Sequence, residues 1–121
     1  MADWVFLTCY ALMIGHELDA IQQKEWRIFP GTNLLPDQMG FQVFTVLHVP
    51  LFVLLNWLFF LASAEVMAKA KIGFAIFAIL HIGAHWLYRH HQEYRFHSPL
   101  SKFLIWAPGC FGLIYLALTI F

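Results

Sequence analysis

Apolar residues run along this chain in four long stretches, separated by short polar or proline- and glycine-marked breaks, and the pattern predicts helices at 3–24, 38–63, 66–92 and 98–121. A membrane-spanning helix needs about 20 largely apolar residues, and each stretch supplies them. The first is apolar only to about Gly15. Beyond it His16, Glu17, Asp19, Gln22 and Gln23 fill the last turns, so that end cannot face lipid all round. Phe29-Pro30-Gly31 and Leu35-Pro36-Asp37 then break the chain. The second stretch is interrupted by Gln42, His48 and Asn56, and Pro50 predicts a kink. A tight turn near Ala64 and Glu65 leads to the third, which carries Arg89, His90 and His91 in its last turns. Ser98-Pro99 reads as an N-cap followed by proline at the first helical position, and Pro108-Gly109 predicts a bend in the fourth. The expected architecture is all-α: one domain over 1–121, an integral-membrane four-helix bundle of antiparallel, up-down topology.

Composition supports the membrane reading. The chain is 61% hydrophobic and 12% charged, against about 25% charged for a soluble domain. Seven acidic and seven basic residues balance to zero, which argues against a nucleic-acid partner or a polybasic lipid patch. Cys9 and Cys110 lie in apolar runs and form neither a metal-type pair nor a secreted disulfide framework. The first apolar stretch lacks the basic lead-in and cleavage site of a signal peptide and is read as a retained helix. Short connections would put the 25–37 and 93–97 loops on one side with Lys24, Arg27, Arg89, Arg95 and Lys102, against Lys69 and Lys71 on the other. The positive-inside rule then makes those loops cytoplasmic, in a bacterial inner membrane.

The chemistry lies in the spans. Four of the seven histidines, His16, His48, His81 and His85, fall inside them, and ionisable groups at membrane depth are costly and usually face a bundle interior. At about 1.5 Å per residue, His16 lies about 12 Å from Lys24, His48 about 15 Å from Gln38, and His85 and His81 about 10 and 17 Å from Gln92. All four approach one layer. His81 and His85 are four apart and share a helical face, as do His16 and Asp19, while Glu17 is turned about 100° from His16. Histidines with a carboxylate suit a transition metal, zinc or iron foremost, and an open coordination position would activate water. The expected metal ligands are His48, His81 and His85 with His16 or Asp19, and Glu17 and Asp19 are the candidate catalytic carboxylates.

Milder readings stand beside this. Buried histidines also hold helices together by hydrogen bonds, line proton or metal-ion paths, or bind haem b between two helices. His90, His91 and His97 read as a solvated interfacial loop or a lid, Asn56 as a helix-to-helix hydrogen bond, the five tryptophans mostly as interfacial anchors, and Gly73 and Gly83 as points of close helix approach.

At His16-Glu17-Leu18-Asp19-Ala20, followed by Glu25-Trp26-Arg27, and at Leu47-His48-Val49-Pro50-Leu51-Phe52, the chain resembles an uncharacterised bacterial family of small integral membrane proteins. The resemblance implies a compact multi-helix membrane domain and an important first-helix motif, with no established activity. The leading expectation is a membrane-embedded, metal-binding protein; were it an enzyme, metal-dependent hydrolysis of a lipid-like substrate is the expected chemistry. The alternatives are a haem-binding or structural subunit, or an ion conductor. Membrane lipid, a second copy or a larger membrane complex are the expected partners.

Overall fold

A computed structural model describes residues 1–120 and contains, among them, helices and no strand. Helix α1 spans Ala2–Gln22, α2 Asp37–Asn56, α3 Ala64–Tyr88 and α4 Pro99–Ile120. A wider π-type turn, Trp57–Leu61, extends α2. Each helix is long and apolar enough to cross a membrane. Helix α3 stops at Tyr88 rather than at the expected Gln92, so His90 and His91 lie in an irregular connection and are exposed.

The helices do not share the core equally. Helices α1 and α3 both pack closely on α4, and the tightest approach is glycine against backbone. A β-carbon on Gly112 would stand 2.8 Å from the Ala75 carbonyl oxygen, and one on Gly109 would stand 3.0 Å from that of Ala78. Helix α2 buries only Gly40 and Phe44 along its α-helical length and leaves Val46, Val49 and Val53 more than half exposed. In water such a face would be costly; in lipid it is the expected outward surface.

Two apolar clusters bracket the middle of the bundle. One joins Phe6, Tyr10 and Met13 of α1 to Phe59, to Phe74 and Ala78 of α3, and to Tyr115 of α4; the other joins Ala20, Trp26, Ile28, Phe44, Phe96 and Ile105. Half of the second cluster, Trp26, Ile28 and Phe96, comes from the connections. Lys24 takes a left-handed conformation, φ 57°, which ends α1 and folds Glu25–Arg27 back against it. Trp26, expected at the membrane interface with the other tryptophans, is instead buried, donating from Nε1 to Asp37 while its carbonyl accepts from Thr32 Oγ1. Arg27 ties this connection to the start of α2 and to the α3–α4 connection: its guanidinium meets Asp37 at 2.8 Å and Glu93 at 3.1 Å. Far along α1, Lys71 of α3 holds Asp3 at 3.0 Å.

Candidate metal centre

Three imidazoles meet between α1 and α3. His16 comes from α1, and His81 and His85 from successive turns of α3, with one ligand nitrogen of each within 4.8 Å of the others. The ring centroids stand 4.5 Å apart for His16 and His81, 4.9 Å for His16 and His85, and 4.5 Å for His81 and His85. Nε2 of His81 and Nε2 of His85 are 3.2 Å apart. With metal–nitrogen bonds of about 2.0–2.1 Å, two ligands of a tetrahedral ion lie about 3.3 Å apart, so this spacing fits a shared ion as well as a hydrogen bond between the two rings.

Burial sharpens the point. His16 is fully buried, yet neither of its ring nitrogens has a hydrogen-bond partner, and neither has His81 Nδ1. Leaving buried polar nitrogens unpaired is costly, and an ion would relieve it. His85 is oriented from outside the cluster: the Tyr94 hydroxyl lies 3.2 Å from its Nδ1, and Phe96 packs edge-on against its ring at 4.7 Å. Burial keeps the Tyr94 phenol protonated, the nearby Glu25 charge adding to the effect. If His85 Nδ1–H donates to the Tyr94 oxygen, Nε2 keeps its lone pair facing the cluster, the usual device for fixing a ligand's tautomer.

His48 is elsewhere. Its Nε2 lies 2.8 Å from Glu17 and its Nδ1 2.6 Å from the Phe44 carbonyl, so the structure brings together three of the four expected histidines and pairs the fourth with one of the two expected carboxylates. Asp19 is buried and accepts from the Gln23 amide through one oxygen, the other having no partner. The carboxylate beside the triad is Glu25, 3.7 Å from His16 Nε2. Burial pushes its carboxyl up to about 8, with Glu17 and Asp19 adding to the shift and His48 opposing it.

Two cavities reach these groups. One, of about 340 Å³, runs between α3 and the 25–30 segment; Phe77, Leu80 and Phe29 line its apolar walls, and Glu25, His81, His85 and Tyr88 bring its polar groups. The other, of about 370 Å³, lies among α1, α2 and α3 with Glu17 on its wall, and Phe77 borders both.

A family model for a family of unknown function, DUF6713, matches residues 2–121. The chain belongs to DUF6713. Neither the curated proteins nor the solved structures contain a match to it. In this DUF6713 chain the groups that sequence patterning did not bring to the site are Glu25, Tyr94 and Phe96, all supplied by connections. The Glu25-Trp26-Arg27 motif was the available signal for the first; nothing in the spacing marked the other two.

Proposed function

We propose that this protein is a membrane-embedded metal enzyme in which His16, His81 and His85 hold one zinc or iron ion and a lipid-like substrate reaches it through the cavity beside Glu25. The observation that carries the reading is the convergence of three buried imidazoles whose nitrogens lie within 4.8 Å and are largely without other partners. Such an ion would supply Lewis acidity and lower the pKa of water at its open position. The substrate class is argued from the cavity walls, which are mostly apolar, with Tyr88 the one polar lining residue outside the site. Hydrolysis of a lipid-like molecule is the reaction this arrangement favours.

In this reading the chain's own groups divide the work. Glu25, on the cavity wall and 3.7 Å from His16, has its pKa raised by burial. Beside a cation held by the triad its ionised form would be favoured, the form placed to take a proton from water and return it to a leaving group. Tyr94 orients His85. Glu17, with His48, holds α2 against α1 next to the second cavity, and Asp19 steadies the end of α1 through Gln23. Haem fits less well, because the imidazoles are packed ring to ring at 4.5 and 4.9 Å with no slot for a porphyrin between them.

Elemental analysis of detergent-purified protein, after exposure to zinc or ferrous ion and removal of excess, tests the metal. About one ion per chain is expected, with loss in a His81→Ala, His85→Ala variant. Equal, near-zero content in both would overturn the reading. Mass spectrometry of a membrane lipid extract incubated with loaded protein tests the chemistry. Cleavage products should accumulate with the unaltered protein and fail to appear with Glu25→Gln.

A further inference from the structure

Where α3 ends and α4 begins, a third cavity of about 190 Å³ opens on the far side of His85. Two cations line it, Arg89 and Lys102, together with Trp86 and Trp106, and none of its lining residues is acidic. That imbalance is unusual in this chain. Arg27 is paired with Asp37 and Glu93, Arg95 with Glu93, Lys69 with Glu65 and Lys71 with Asp3. Among the described residues, Arg89 and Lys102 have no carboxylate within 4.0 Å; Lys24 has none either but does not line this cavity.

We propose that this cavity binds the phosphate of an anionic membrane lipid, with Arg89 and Lys102 as the recognising groups. Arg89 is already set for the task. Its guanidinium lies over the Trp86 ring at 3.7 Å and donates to the Trp86 carbonyl, which holds the planar fork in place while most of its five donors remain free. A preorganised arginine fork matches phosphate oxygens better than a mobile ammonium does. Trp86 and Trp106 are more than half exposed and lie where interfacial aromatics meet headgroups. Ile82 and Ile105 give the cavity apolar walls for the carbon atoms next to the phosphate.

The proposal does not depend on the metal reading, since neither cation belongs to the triad. It does place an anionic group against His85 and Tyr94, which also line the cavity. Free phosphate shares the chemistry, and the experiment separates the two sources.

Protein reconstituted in bilayers of phosphatidylcholine with a minor share of phosphatidylglycerol, then released into mild detergent, would be examined by native mass spectrometry for retained lipid, with metal content and circular dichroism recorded in parallel. Phosphatidylglycerol should be retained over phosphatidylcholine. At about 1 kcal/mol for each cation near an anionic surface, Arg89→Gln and Lys102→Gln should each weaken retention about fivefold, and the pair about 25-fold. Lys69→Gln, at a paired and exposed lysine in the first turns of α3, should change nothing. Should the double variant fold poorly, the single Lys102→Gln, at an exposed position, carries the test. Equal retention of the two lipids, an equal loss in Lys69→Gln, or displacement of lipid by millimolar inorganic phosphate would each overturn the assignment to a lipid headgroup. Loss of metal with lipid retention intact would concern the triad alone.

Discussion

His48 meets Glu17 at 2.8 Å across the gap between α2 and α1, while its other ring nitrogen lies 2.6 Å from the Phe44 carbonyl. A carbonyl oxygen only accepts, so Nδ1 carries a proton, and a second proton is shared between Nε2 and the Glu17 carboxyl. Both polar groups are thereby satisfied without an ion, which sets this pair apart from the triad.

Removing His48 should therefore cost stability and leave metal binding alone. With the Glu17 carboxyl half-buried and unpartnered, His48→Ala is expected to destabilise the protein by ~1–3 kcal/mol, measured as the shift in unfolding midpoint in detergent. Metal content should match that of the unaltered chain. A drop as deep as that of the His81 and His85 variant would make His48 a ligand.

Tyr94→Phe removes one hydroxyl and tests the orientation of His85. Loss of such a partner weakens metal affinity about 10–100-fold, read by competition against a metallochromic chelator. The helical signal by circular dichroism should not change. Unaltered affinity would show that packing by Phe96 alone holds the ring.

Chelation should loosen the fold. A ligand at 100 times its Kd stabilises the state that binds it by ~2.7 kcal/mol, so treating loaded protein with a strong chelator should lower its melting temperature measurably. His16→Ala should melt at the same temperature with and without chelator. A chelator response that survives this substitution would locate the ion away from the triad.

Gly112 and Gly73 offer a contrast within the bundle. A β-carbon on Gly112 would come within 2.8 Å of the Ala75 carbonyl and 3.4 Å of its α-carbon, so Gly112→Ala must push α4 off α3 and should cost ~1–3 kcal/mol. Around Gly73 nothing lies within 4 Å, and Gly73→Ala should be neutral or slightly stabilising through helix propensity. Thermal unfolding of the two variants side by side gives the answer.

The four spans were legible because lipid imposes a simple length and polarity requirement on each helix. The His81 and His85 pair was legible for a similar reason: residues four apart share a face whatever the helix packs against. Which faces of different helices meet is another matter, since helical periodicity fixes angles within a helix and not its rotation relative to a neighbour. That is why His16 and Glu17, adjacent in sequence and about 100° apart, turn to α3 and α2 respectively, and why His48 follows Glu17 rather than the triad. Glu25 was hidden by a single backbone conformation, the left-handed Lys24, which returns the chain over His16 where a continued helix would have carried it away. Tyr94 and Phe96 come from a connection whose course depends on α3 stopping at Tyr88. The hydropathy pattern that ran the helix on to Gln92 contains no stop signal there.

The three imidazoles are divided between α1 and α3, and this dictates an order of biogenesis. A nascent chain that has inserted only α1 and α2 carries a lone His16 and can pair Glu17 with His48, but has nowhere to seat a metal. The cluster comes into being when the third helix enters the bilayer, and Tyr94 follows it only with the next connection. In the proposed reading, metal loading would therefore be a late event in the life of the polypeptide, and truncations before residue 85 would insert without acquiring an ion.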